Sequence, residues 1–195
     1  MKSRSIQAMM ISTLILTVGM LTAARMARAD DKEKAAAPKS FAIGDEYQLT
    51  TPEAWATREP RSRIIDHEFA VTASKEDELE GRVTVMAAGG TADANLERWY
   101  GQFTQPDGSA TKDKVKITKK QIAGKEITIV DLSGTYMDRP APMAPGVERE
   151  NYRMLAAIIP AKGSNNIYVK FYGPKQTVAD NAEAFTKMID SLRQK

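Results

Sequence analysis

The sequence predicts an α+β domain in which a mainly antiparallel sheet of about six or seven strands carries helices packed on its faces, an α/β/α-type sandwich. Three observations predict it. The apolar runs are joined mostly by links of hairpin length, which favours antiparallel neighbours. Two strand segments, Lys125 to Tyr136 and Tyr152 to Ile159, are apolar on both sides, so their sheet must be covered on both faces. Two further segments repeat apolar residues at helical spacing: Leu96, Trp99, Tyr100 and Phe103, and Val178, Ala182, Phe185, Ile189 and Leu192.

Tyr47 to Thr50 reads as a strand that ends in the turn Pro52-Glu53-Ala54-Trp55. Ile65, His67, Phe69 and Val71 alternate with Asp66, Glu68 and Thr72, the period-two pattern of a half-buried strand. After the charged turn Lys75 to Glu80, Arg82 to Ala87 supplies a second such strand. Gly89-Gly90 ends it, and Thr91 or Asp93 suits the N-cap of a helix that stops near Gln105, ahead of the turn residues Pro106-Asp107-Gly108. Lys114 to Ile122 and Lys125 to Tyr136 form a hairpin about Ala123-Gly124. Tyr152 to Ile159 and Asn166 to Tyr172 complete the sheet, and Gly173-Pro174 opens a last helix running nearly to the C-terminus.

The first 29 residues read as a secretory signal. Lys2 and Arg4 precede an uncharged apolar stretch from Ala8 to Ala24, and Ala27 and Ala29 are the small residues a signal peptidase needs before Asp30. Five polar or small residues, Ser12, Thr13, Thr17, Gly19 and Thr22, dilute the stretch, which favours cleavage over retention as an anchor. Residues 30–40 are charged and alanine-rich and form a lead-in with little to bury; residues 41–194 form the single domain. The leader also explains the pI of about 9.0. Of the 28 basic residues, Lys2, Arg4, Arg25 and Arg28 lie in the leader, while all 25 acidic residues follow it, which leaves 24 bases and a net charge of −1. Such a chain has no field to gather nucleic acid. With no cysteine there can be no disulfide, thiolate metal site or lipid anchor at the cleavage site.

Several of these packing residues occur in an order known elsewhere: Pro52-Glu53-Ala54-Trp55 after the first strand, Gly89-Gly90 before a helix with Leu96 and Trp99, Gly124 in a hairpin, Gly134-Thr135-Tyr136 closing the next strand, and Tyr168 through Gly173-Pro174 before the last helix. From about Phe41 to Leu192 the chain resembles the PsbP-like fold family, which includes an extrinsic lumenal subunit of photosystem II and a Ran-binding nuclear import factor. It looks most like the exported bacterial members. The resemblance implies a fold and no particular chemistry, and no functional residue is carried over from it.

Candidate chemistry is sparse. His67 is the only histidine, and its neighbours Asp66 and Glu68 point to the opposite face of the strand, so neither orients it as a catalytic base. Asp66 and Glu68 share a face and are the candidate metal ligands, with Glu76, Asp77, Glu78 and Glu80 as further oxygen donors. Gly89-Gly90-Thr91 lacks the spacing of a nucleotide loop. Trp55, Trp99 and Tyr100 read as core anchors. The fourteen residues Met137 to Glu150, with three prolines between two core strands, are far longer than a hairpin needs. Arg139, Pro140, Met143, Pro145, Val147 and Arg149 are their candidate partner contacts. The expected function is therefore that of an exported, monomeric, non-catalytic binding or accessory protein without a cofactor, docking to a protein or envelope partner through this loop. The alternative is a small metal-dependent or hydrolytic enzyme using His67 and its neighbouring carboxylates. Expression in an export-competent host should yield a chain whose intact mass starts at Asp30; a mass that includes residues 1–29 would show a retained anchor.

Overall fold

The computed structural model describes residues 39–139, 144–163 and 165–195, so the leader, most of the lead-in and the candidate contacts Pro140 and Met143 lie outside the described residues. The main sheet is built on two strands of unusual length and composition. β8 (Lys125–Asp138) and β9 (Val147–Pro160) pair antiparallel along most of their length, and β10 (Asn165–Pro174) pairs β9 on its other edge. Outward from β10 lie β5 (Gly81–Gly89), β4 (His67–Val71) and β3 (Ala56–Arg58). The opposite edge of β8 carries β7 (Lys116–Ile122) towards one end and the two-residue β6 (Phe103–Thr104) towards the other. Every pairing is antiparallel. The sheet thus has eight strands where the sequence suggests six or seven, the excess being the short edge strands β3 and β6. β7 is an exposed edge bearing Lys116, Lys119 and Lys120, charges that discourage further strand addition.

Alternation along the central strands divides the core in two. Ile127, Leu155, Ala157, Ile159, Ile167, Val169 and Phe171 point to one face, and Val130, Leu132, Met154, Ala156, Ile158 and Tyr168 to the other. The first face is covered by α2 (Lys175–Asp180), α3 (Ala182–Asp190) and a small sheet of β1 (Ser40–Ile43), β2 (Tyr47–Thr50) and β11 (Arg193–Gln194). The second is covered by α1 (Ala92–Tyr100). The α/β/α layering expected from the sequence is present, and the described residues form one unit.

Local chemistry sets the boundaries. Thr91 caps α1, its hydroxyl accepting from Ala94 N–H at 3.1 Å. The helix ends at Gly101, four residues earlier than Gln105, and Phe103 stays buried by joining β6. The single terminal helix expected from Gly173-Pro174 is two helices. Pro174 still lies in β10, opposite Tyr152, and the helical path breaks at Asn181. The Asn181 amide donates to Thr177 C=O at 3.0 Å and accepts from the Trp55 indole at 3.3 Å, local bonds that compete with a continuous helix. Ser40, placed in the lead-in by composition, is the first residue of β1 and pairs Thr50.

At one end of the sheet β10 and β5 approach so closely that only glycine fits. A Cβ on Gly173 would lie 2.8 Å from the Gly81 Cα, and one on Gly81 would lie 2.8 Å from the Phe171 ring. Gly173→Ala should therefore destabilise the fold by about 1–3 kcal/mol. Gly89→Ala, whose Cβ would meet Asn165 at an ordinary 3.6 Å, should stay within about 0.5 kcal/mol of wild type. Urea unfolding of the two variants checks the contrast.

Candidate functional site

The α2/α3 face is sealed by apolar packing, and His67 belongs to it. Its Nε2–H donates to Ala42 C=O at 2.7 Å and its ring meets Phe41 edge-on at 4.7 Å between centroids. The bond ties the ring of β4 to the backbone of β1, so His67 staples β1 to β4.

The α1 face is different. Nine helical residues leave much of it uncovered, and the gap between α1 and β3–β5 is filled by charge and aromatic rings. Glu68 projects onto this face and is only 2% exposed. Arg82, from the adjacent strand, grips it with two bonds of 2.8 Å, Nε–H to Oε1 and Nη2–H to Oε2, while Arg61 N–H donates to Oε2 at 3.0 Å. Burial raises the Glu68 pKa, but the bonds from Arg82 and Arg61 and their charges outweigh it and hold the carboxyl below its ordinary value. The third arm of Arg82 donates to the Tyr172 hydroxyl at 2.6 Å. Beside it, Lys170 places its ammonium 4.5 Å from the Tyr172 ring centre and 5.0 Å from that of Tyr136, donating to Gln102 Oε1 at 2.6 Å. Tyr136 in turn stacks on Tyr152 at 5.8 Å.

Asp66 and Glu68, the candidate metal ligands, are both engaged by protein donors. Both oxygens of Glu68 are committed to arginine donors, and Asp66 Oδ2 accepts from Ala87 N–H at 3.1 Å. Asp77 is also engaged elsewhere, accepting from Thr177 N–H at 2.8 Å and Thr177 Oγ1–H at 2.6 Å at the start of α2. Among the described residues no three histidine, aspartate or glutamate side chains are grouped to hold an ion.

The long segment Met137 to Glu150 is also shorter as a loop than its sequence suggests. Strand pairing continues through Tyr136–Arg149, Met137–Glu148 and Asp138–Val147, so Val147 and Arg149 stand in β9 and only residues 139–146 connect the strands. Of the candidate contacts, Arg139 and Pro145 lie in that connection and are exposed. Val147, 47% exposed, sits at the mouth of the hairpin. Arg149 Nε is enclosed without a hydrogen-bond acceptor among the described residues; the nearest carboxylate oxygen, Asp138 Oδ2, is 3.6 Å away. Asp138 and Arg149 line a hollow of about 340 Å³ with Arg61, Leu79, Arg82 and Tyr172, so the hairpin end adjoins the polar cluster.

Sequence reasoning missed Arg82 and Lys170. A signal existed in the alternation Tyr168, Lys170, Tyr172, which puts a lysine between two rings on a strand face. That β5 and β8 would enclose it depends on pairings remote in sequence.

No protein-family model matches the chain, and no curated protein matches it. Solved structures similar to it include the cyanobacterial PsbP (CyanoP) of Synechocystis, at 11% identity and a TM-score of 0.48, covering 80% of this chain and 92% of that one. PA94 of Pseudomonas aeruginosa, described as of unknown function, matches at 13% identity and 0.45, covering 79% and 94%. LpqN of Mycobacterium tuberculosis, described as involved in cell envelope biogenesis, matches at 10% and 0.47, covering 83% and 87%. The first of these bears the name of the family the sequence resembles. The likenesses are distant, and nothing about what this protein does rests on them. Among the described residues no helix is long and apolar enough to cross a membrane.

Lys170 provides a test of the cluster. Burial, then the charge of Arg82, pushes its pKa from the ordinary 10.5 down to about 7, against a smaller opposing pull from Asp138. Between those values the unfolded chain holds a proton the folded chain lacks, so stability from this group rises with pH across the window and is lowest below about pH 7. The stability of wild type relative to Lys170→Met should therefore climb as pH rises from about 7 towards 10. Urea unfolding across that range measures it, and a flat difference would mean that Lys170 stays charged in the fold.

Proposed function

We propose that this is an exported, non-catalytic binding protein that docks to a protein partner through the hairpin end of its sheet, residues 138–149, together with the facing β4–β5 connection. The observation that carries the proposal is the composition of that end. Leu79, 42% exposed, and Val147 are two large apolar side chains left in solvent there. They accompany a hollow with cations and acids on its walls and an arginine nitrogen that meets no hydrogen-bond acceptor among the described residues. Apolar anchors ringed by polar groups, one of them wanting a partner, fit a protein surface that offers apolar contact and a carboxylate or carbonyl oxygen. The three prolines of the segment restrict the chain before binding and so reduce the ordering cost.

Catalysis by His67 lacks support from its surroundings, because its ring packs edge-on against Phe41 and Glu68 lies on the opposite face, held by arginine. Export rests on the leader sequence.

The test is crosslinking of the tagged mature protein in intact cells, with wild type compared against Leu79→Asp/Val147→Asp and against a chain in which residues 139–146 are replaced by Asn-Gly. Leu79 and Val147 are exposed, so the double substitution leaves the core untouched. Each of the two variants should lose the crosslinked partner by about tenfold or more, the size expected when interface anchors are removed. The same partner at the same yield from both would remove the hairpin end from consideration.

A further inference from the structure

A second cleft, of about 280 Å³, lies on the other side of Arg82, between α1 and the sheet. Asn95, Arg98, Trp99 and Gln102 reach it from α1 and the residues just after, at steps of three and four that put them on one face. Arg82 and Lys170 reach it from the sheet, and Ile64 and Ile65 stand at its rim, Ile64 being 66% exposed. Three basic side chains thus line the cleft, Arg82 being paired with Glu68 behind it, and among the described residues no aspartate or glutamate lines it. Arg98 and Lys170 are held by amide oxygens: Arg98 Nη2–H donates to Asn95 Oδ1 at 2.7 Å, and Lys170 to Gln102 Oε1 at 2.6 Å.

Asn95 adds an independent observation. It is 6% exposed, and its Nδ2 is enclosed with no hydrogen-bond partner among the described residues. The orientation of the amide is fixed, because arginine can only donate and so the oxygen must face Arg98. A buried N–H₂ left without an acceptor costs on the order of 1–3 kcal/mol. A ligand oxygen arriving between Asn95 and Arg98 would remove that penalty and meet positive charge at once.

We propose that this cleft binds a small organic carboxylate, with its oxygens at the Asn95 amide, Arg98 and Lys170 and its apolar body against Trp99, Ile64 and Ile65. The mixture of rings and aliphatic side chains with a few convergent donors is the usual make-up of a small-molecule site, and the volume falls just below the range of about 300–1,000 Å³ that takes drug-sized ligands. The ligand is therefore a compact monocarboxylate. An inorganic anion would leave the apolar wall unused.

Benzoate is the probe. Titrated into the ¹⁵N-labelled mature protein, it should saturably shift the Asn95 side-chain amide and the Trp99 indole signals. Arg98→Gln, at an exposed position that does not support the core, should weaken binding by about tenfold or more, the loss expected for a charge-assisted bond. Asn95→Asp, which places an acceptor where a donor is needed, should do the same; if that variant does not fold, Arg98→Gln alone decides. Benzyl alcohol, which keeps the ring and lacks the charge, and inorganic phosphate, which keeps the charge and lacks the ring, should each bind at least tenfold more weakly than benzoate. The proposal is overturned by the absence of saturable shifts up to about 10 mM benzoate, by equal binding of either comparison compound, or by unchanged affinity in Arg98→Gln. None of these variants touches the hairpin end, so failure here and failure of partner docking are separate results.

Discussion

Everything in this structure follows from the need to cover a sheet whose central strands are apolar on both sides. β9 and β10 bury Leu155, Ala157, Ile159, Ile167 and Val169 in one direction and Met154, Ala156, Ile158 and Tyr168 in the other, so neither face can be left to water. One face is closed thoroughly by two helices and a second small sheet. The other receives only α1, whose nine residues span about 14 Å. Eight strands at a spacing of about 4.8 Å form a far wider surface than that, even allowing for the shared edge of β6 and β7. A helix that short covers the strands it crosses, and among the described residues no other helix covers the flank towards β3–β5.

The flank is filled by amphipathic side chains instead. Tyr136, Tyr152 and Tyr172 pack their rings there, and the hydroxyl of Tyr172 accepts from Arg82, whose charge and that of Lys170 lie against the rings. Once Arg82 is there, Glu68 must accompany it: an unpaired guanidinium in that position would be strongly disfavoured, and the paired carboxylate gains a backbone donor from Arg61 as well. Lys170 is placed otherwise. It has rings and an amide oxygen where Arg82 has a carboxylate, so burial first and the charge of Arg82 second lower its proton affinity, while Glu68 and Tyr172 raise that of Arg82 against its own burial.

What the sequence disclosed and what it concealed divide along the same line. Elements fixed by local chemistry were legible: the Thr91 cap, the hairpin at Ala123-Gly124, and the two strands whose doubled apolar pattern called for a layer on each side. Elements defined only by a distant partner were not. β3 and β6 are two or three residues long and exist because β4 and β8 offer them an edge, and β11 exists because the chain end returns to β2. The break at Asn181 needs the Trp55 indole, 126 positions away, to become visible. The prolines of the 137–150 segment suggested a long loop, whereas strand pairing persists as far as Asp138 and resumes at Val147, since nothing between Tyr136 and Asp138 or between Val147 and Arg149 prevents it. Asp66 and Glu68 shared a face as the alternation required, but an arginine two strand positions from view decided what Glu68 does there.

Arg82 and Tyr172 line both the hollow at the hairpin end and the cleft beneath α1, back to back. The wall between the two surfaces is therefore a single hydrogen-bonded unit, Glu68–Arg82–Tyr172, rather than a layer of packed hydrocarbon. Such a unit is rigid while every bond is made and changes as a whole when one is lost, because each freed group is buried and must find a new partner. Substituting Arg82 would alter the two surfaces together and release Glu68 as an unpaired buried charge. Side chains at the outer rims, Val147 and Leu79 on one side and Arg98 on the other, report on each surface without disturbing the wall, and only through them can the two roles be told apart.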